Sequence, residues 1–251
     1  MLRWLLWWPL WAVGSVMAAG QGAVDRVVDQ YFPQYDEASQ CRVATTEQGA
    51  YCMQMAAHKT VAHARGEAHY VLMYGQRYDF EQQTPSAGHV HSGYVAMFVV
   101  DVVGGKATTA SAKADITVGA FGHAPKDWTF HQFGPQTYGF LSRHGDMHQG
   151  YAGSHYVILV PQGRSIAEHW IGASMNNEGV GLVKRKETVL DSQIKIDRSV
   201  PIRSGLYPLL LTVSGWDRGV YYQNQAYRIG YDARKKAYVM PKRYPLRDID
   251  Y

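Results

Sequence analysis

The stretch ATTASAKADITV (107–118) decides the fold. Ala110, Ala112, Ala114, Ile116 and Val118 are apolar, and Thr109, Ser111, Lys113, Asp115 and Thr117 between them are polar. Side chains of an extended chain alternate between two faces, so the pattern predicts a strand with one buried face and one wet face. Just upstream, Tyr94 to Val103 is apolar on nearly both faces. A strand of that kind belongs in the middle of a sheet covered on both sides. Between the two, Gly104-Gly105 supplies the positive φ of a tight hairpin.

Working outward, the same alphabet recurs. HYVLMY (69–74) follows a turn at Arg65-Gly66, and YVILV (156–160) is a short apolar run. Leu190, Ser192, Ile194 and Ile196 alternate with Asp191, Gln193, Lys195 and Asp197. Leu206 to Val213 leads through WDRG (216–219) into VYYQNQAYRI, and Asp232 to Lys236 forms a polar turn before AYVMP. The segment 52–64 carries helix-compatible alanines but precedes a hairpin signal, and we read it as strand. AHYVLMYGQR (68–77) and SHYVILVPQGR (154–164) echo one another, either as duplicated halves or as two buried strands built from the same residues. Only one segment has a helical period. In GAVDRVVDQYFPQY (22–35), Val24, Val27, Val28, Tyr31 and Phe32 form a single stripe, and Pro33 ends it. Many short strands with Gly and Pro turns, and no recurring helix between them, predict a mostly β protein: an antiparallel β-sandwich or barrel-like fold with one short N-terminal helix.

Residues 1–18 read as a signal peptide: Arg3, an apolar stretch from Trp4 to Met17, then small residues that fit cleavage before Ala19. An uncleaved anchor is the rival, but the stretch is short for a span of about 20 residues and Pro9 interrupts it. Residues 19–251 then form a single β-rich domain, with a possible subdomain boundary at 176–188. The expected location is periplasmic or secreted, with no membrane span after signal cleavage. Cys41 and Cys52 are the only cysteines, and in an oxidising compartment they predict one disulfide.

The formal charge of +4 is unevenly placed. From Lys184 onward there are fourteen Lys and Arg against seven Asp and Glu, including KRK (184–186) and RKK (234–236). That basic third is either a solvated face or a surface for an acidic partner. Export gives no reason to expect nucleic acid.

Eleven histidines invite a metal reading. His89 and His91 share a face if their segment is a strand, and His144 and His148 lie four apart, so the two pairs together hold enough imidazoles for zinc or copper, although Gly88, Gly93, Gly145 and Gly150 flank them and read as loop. Arg143-His144-Gly145 resembles the core of the histidine phosphatases over three residues, but Asp146-Met147-His148 replaces the Arg and Pro that continue that pattern. His155 and His69 each stand before an apolar run and read as half-buried strand-end residues. His169 shares a face with Ala167, Ile171, Ala173 and Met175 and reads as a core histidine bonded to a neighbour. There is no G-x-S-x-G elbow, no H-E-x-x-H and no phosphate loop, since VVGGKATT (102–109) lacks the spacing. Asp101, Asp146, Glu168 and Glu178 are carboxylates that no spacing pairs. YYQNQAY (221–227), with Trp128, Trp170 and Trp216, offers either a stacking platform for sugars or ordinary packing. Three functions stay open. The first is a non-enzymatic envelope protein that binds an envelope protein, a glycan or a small ligand. The second is a histidine-site metal-binding protein or metallohydrolase. The third is a carbohydrate or cell-wall binder.

Overall fold

The computed structural model describes residues 12–249 apart from Ala87, His89 and Arg203, with side chains from Gly22 onward. Among the described residues the chain forms one α-helix and fifteen strands. Helix α1 (Ala12–Tyr31) comes first. Then come β1 (Tyr35–Asp36), β2 (Cys41–Thr46), β3 (Gly49–His63), β4 (Gly66–Asp79), β5 (Thr84–Pro85), β6 (Tyr94–Val103) and β7 (Lys106–Thr117). The second half holds β8 (Thr129–Gly134), β9 (Thr137–His148), β10 (Tyr151–Gln162), β11 (Ser165–Asn176), β12 (Thr188–Ile196), β13 (Leu209–Asp217), β14 (Val220–Asp232) and β15 (Ala237–Val239).

The first seven strands make sheet I, in the order β1-β2-β3-β4-β6-β7 with β5 paired to β4. The last eight make sheet II as a continuous meander from β8 to β15. Every pairing is antiparallel, and neither sheet closes into a barrel. The fold is therefore the expected mostly β stack.

The layers run α1, sheet I, sheet II and then the C-terminal segment. Val24, Val27, Val28 and Phe32 of α1 cover Val71, Met73, Ala96, Phe98 and Val100. The opposite face of sheet I, with Tyr70, Leu72, Val95 and Met97, packs on Phe140, Val157, Leu159 and Ile166 of sheet II. The far face of sheet II carries Ile158, Ile171, Leu190, Leu209 and Leu211, and Tyr244 and Leu246 lie over it. The two echoing segments sit in β4 and β10. Val71 and Val157 point toward α1, and Tyr70 and Tyr156 point away from it.

The helix keeps its predicted stripe but begins at Ala12, not at Gly22, and so runs through the expected cleavage point. Ala12, Met17, Ala18 and Ala19 are strong helix formers, which explains the extension. Its last bond is Phe32 N–H to Val28 O at 2.8 Å, and Pro33 has no amide to continue the series. The disulfide Cys41–Cys52 joins neighbouring strands β2 and β3 with the two Cα atoms 5.4 Å apart. The segment between β11 and β12 joins adjacent strands of one sheet.

The decisive stretch itself departs from its pattern. Register shifts opposite Val95/Met97 and Val99/Val100 mark β-bulges in the β6–β7 pairing. A bulge adds one residue to one strand and flips the faces beyond it. Ala110, Ile116 and Val118 therefore face sheet II, while Ala112 and Ala114 face α1. Ser111 and Lys113, expected on a wet face, point at sheet II instead. Ser111 Oγ donates to Gly163 O at 2.7 Å, and Lys113 Nζ meets Glu168 Oε1 at 2.6 Å. The polar positions of this edge strand bolt the two sheets together.

Sheet II has a split. β11 and β12 pair only at Ser174–Asp191, Met175–Leu190 and Asn176–Val189. Beyond that point backbone carbonyls lose their ladder partners, and buried carbonyls require replacements. Hydroxyls supply them. Tyr244 OH donates to Gly172 O at 2.6 Å, Ser192 Oγ to Ala173 O at 2.7 Å, and Tyr156 OH to Ser192 O at 2.5 Å. A Cβ on Gly172 would stand 1.9 Å from Leu246 O, so the C-terminal segment needs glycine there to close the split.

Candidate functional site

A groove of about 620 Å³ opens between the β11–β12 segment and the tip of the β13–β14 hairpin. Its lining includes Glu178, Lys184, Arg185, Glu187 and Trp216. Trp216 is 52% exposed and Tyr221 57% exposed, large fractions for such side chains. Their rings lie 4.8 Å apart, tilted by 47°.

Local sequence chemistry explains this arrangement. The β13–β14 register slips between Val213↔Gln225 and Gly215↔Tyr222, so β14 holds one extra residue at Gln223-Asn224. Asn224 takes the left-handed conformation at φ 51°, which asparagine tolerates better than most residues. Ser214 Oγ bonds Asn224 Oδ1 at 3.0 Å and accepts its backbone N–H at 3.2 Å, which holds the bulge. The slip sets Tyr221, not Tyr222, opposite Trp216, and Tyr222 turns in to pack on the core. Gly215 is needed beside Trp216, because a Cβ there would stand 1.9 Å from Val189 O.

The opposite wall is pinned by one buried asparagine. Asn177 Oδ1 accepts the Thr188 amide at 2.7 Å, and its Nδ2 reaches Lys186 O at 3.5 Å. Two short 3-10 turns, Glu178–Val180 and Lys184–Lys186, follow from this anchor and set the basic run at the rim. Arg218 Nε pairs with Asp217 at 3.0 Å, and Asp217 also accepts from Thr188 Oγ1 at 2.8 Å, so the hairpin tip is braced against β12. The groove thus offers an aromatic face, two cationic donors and two carboxylate acceptors. That set can hold a ligand with a flat apolar face and a rim of hydroxyls.

The histidines are scattered by comparison. His89 lies outside the described residues. His91 Nδ1 is 3.4 Å from Arg77 Nη1, in the loop after β5. His144 and His148 are both on β9, where His144 stands opposite His155 and His148 opposite Tyr151. His144 and His155 flank the ring of Trp170, each 6.0 Å away, and burial holds the His144 imidazole below its ordinary pKa. Among the described residues no three His, Cys, Asp or Glu side chains gather in a way that could hold a metal ion. Arg143-His144-Gly145 lies on an antiparallel strand, with Arg143 Nη2 on Asp191 at 2.5 Å.

Other singled-out residues also fall elsewhere. His155 is in mid-strand, not at a strand end. His69 is buried, with Nδ1 2.9 Å from His58 Nε2. His169 is buried as expected, and its Nε2 has no hydrogen-bond partner among the described residues. Tyr238 and Tyr231 meet its ring edge-on at 5.2 and 5.8 Å. Burial pushes its pKa down to about 4. Trp128 donates to Pro125 O at 2.8 Å beside the inter-sheet core. Sequence reading found the aromatics and the basic run separately. It missed Asn177 and Asn224, the two residues that bring them together.

No family model matches this chain, and neither a curated protein nor a solved structure matches it.

Proposed function

We propose that this chain is an exported, non-enzymatic binding protein whose ligand is a glycan seated in the Trp216 groove. The observation that carries the reading is the meeting of exposed Trp216, with Tyr221 against its ring, and Lys184, Arg185, Glu178 and Glu187 around one groove. A sugar ring presents C–H bonds on its face and hydroxyls on its edge. The indole takes the face, and mixed donors and acceptors take the hydroxyls. Equal numbers of cations and carboxylates in the lining favour hydroxyl recognition over attraction of a polyanion. The apolar N-terminal stretch and the disulfide support export to an oxidising compartment, periplasmic or secreted.

Co-sedimentation with insoluble polysaccharides, peptidoglycan sacculi first, tests the reading. Trp216→Ala is expected to lower affinity at least tenfold, on the scale of about 1–3 kcal/mol that a buried aromatic contact carries, with an unchanged melting temperature. Full binding by Trp216→Ala, or release of reducing sugar ends by the wild type, would sink it.

A further inference from the structure

The β9–β10, β11–β12 and β13–β14 connections lie at one end of sheet II, as alternate turns of a meander must. They touch one another. A Cβ on Gly150 in the first would stand 2.6 Å from the Gly179 carbonyl carbon in the second, and the Arg218 amide of the third donates to Glu187 O at 2.9 Å. Large apolar side chains gather at this end and stay in water. Met147 (63% exposed) and Tyr151 flank the first turn, Val183 (58%) sits on the second, and Trp216, Val220 and Tyr221 flank the third. The turns at the opposite end, 135–136, 163–164 and 233–236, carry no exposed large apolar residue. Single exposed apolar residues are ordinary, but a group gathered at one end marks an interaction surface.

Charge and spacing separate the kinds of partner. Lys184, Arg185 and Lys186 follow Val183 directly, and none of the three enters an ion pair among the described residues. Nearby carboxylates are engaged: Asp146 accepts the Met147 amide at 2.7 Å, Glu178 accepts from Asn176 Nδ2 at 3.2 Å, and Asp217 accepts from Thr188 and Arg218. Counted with Arg218 and Glu187, the end holds four cations and four carboxylates, so net charge draws it to nothing. The apolar side chains must supply the affinity. They stand apart on three turns, with charged residues between them. A protein partner would need a continuous, closely packed face. A bilayer surface does not. Its headgroup layer accepts separated side chains, takes tyrosine with the ring inward and the hydroxyl outward, and lets Lys and Arg reach the phosphates beside them.

We infer that this end of sheet II docks on a lipid bilayer surface. Met147, Tyr151, Val183, Val220 and Tyr221 enter the boundary between headgroups and acyl chains, and the Lys184–Lys186 run lies on the phosphates. The inference does not rest on the glycan reading, since Met147, Tyr151, Val183 and Val220 do not line the Trp216 groove. Docking sets that groove beside the membrane.

The test mixes the full chain with vesicles of phosphatidylcholine, with and without phosphatidylglycerol. An environment-sensitive fluorophore is attached through Val183→Cys or Val220→Cys, and through Lys235→Cys at the opposite end as a control. The two native cysteines are paired with each other, so each label has one site. Labels at positions 183 and 220 are expected to brighten and shift to the blue with both kinds of vesicle, in raised salt as well, since apolar insertion is not screened. The label at position 235 is expected to stay unchanged. A position-specific signal reads contact at this end whatever residues 1–18 do. Val183→Asp is expected to raise the lipid concentration needed for the signal at position 220 at least tenfold. The same variant should co-sediment with peptidoglycan sacculi as the wild type does, so the membrane and glycan readings fail separately. The inference is overturned if neither label responds, if position 235 responds equally, or if Val183→Asp changes nothing. It is also overturned if only phosphatidylglycerol vesicles give a signal and salt removes it. A response to protein concentration without lipid would make this end a protein interface and overturn it too.

Discussion

The two outer faces of the stack are covered by different means. Sheet I is capped by α1, a regular helix whose Val24, Val27, Val28 and Phe32 meet an unbroken sheet through apolar contact. Sheet II is capped by the irregular segment around Tyr244 and Leu246, over a sheet that splits between β11 and β12. An intact sheet satisfies its own backbone and asks only for apolar cover. A split sheet leaves carbonyls exposed, so its cover must bring hydroxyls as well. The first cap is held by area and the second by area plus a few placed hydrogen bonds.

The comparison breaks most readily at the centre of the helix-capped face. Phe98 is fully buried there and touches Tyr31 at 4.8 Å and Phe32 at 6.2 Å. Phe98→Ala removes the ring that both ends of the contact share. A loss of about 4 kcal/mol is expected in urea unfolding, within the usual cost of an aromatic truncated in a core. A loss under about 1 kcal/mol, the size of a surface change, would mean that α1 contributes little to the fold.

Acid should attack the other face. His169 stands among Tyr231, Tyr238 and apolar residues of sheet II with its pKa held near 4. In the unfolded chain a histidine titrates near 6.5. The native state resists the proton and the unfolded state takes it. Stability is therefore whole above about pH 6.5 and falls as pH drops toward about 4, by about 3 kcal/mol in total. His58, His131 and His144 shift in the same direction through burial and add to the slope. Comparing the wild type with His169→Phe from pH 7 to pH 4 isolates the contribution: the variant should show a flatter profile.

The disulfide belongs to the helix-capped sheet and closes a loop of ten intervening residues. Cys41→Ala with Cys52→Ala is expected to cost about 2–3 kcal/mol on the chain-entropy account. Because the bridge lies within one hairpin of sheet I, the acid profile set by His169 should keep its shape. A changed profile would show that the two faces are coupled.

What the sequence could show follows the same division. The helix stripe, the doubly apolar β6 and the Gly104-Gly105 turn, with φ 56° and 78°, are local patterns and were legible as such. The bulges in β7 were not, because a bulge is fixed by the partner strand and leaves no mark in its own alternation. The C-terminal cap was invisible for a related reason: Tyr244 and Leu246 have no periodic neighbours, and their burial depends on a split two strands wide. The groove was half legible. Tyr221, Trp216 and the KRK run each stood out, but Asn224 and Asn177 decide that they meet. The histidines drew attention by number, and pair spacing along a strand says nothing about which distant pairs converge.

The smallest effect sharpens the comparison most. Tyr244 is buried and places its hydroxyl 2.6 Å from Gly172 O, a carbonyl that the split has left without a ladder partner. Burial pushes its pKa up, against the smaller opposing pull of Arg143, and keeps the phenol protonated and able to donate. Tyr244→Phe keeps the ring, its contact with Tyr227 at 5.3 Å and nearly all the buried area, and removes only the donor. If the cap is held by area alone, the variant is neutral. If the cap must also satisfy the split, the orphaned carbonyl costs about 1–2 kcal/mol. Hydrogen exchange should then quicken in β11 and β12 while β4 and β6, under the helix, stay as protected as before. Equal loss of protection in both sheets would show that the two caps are not independent.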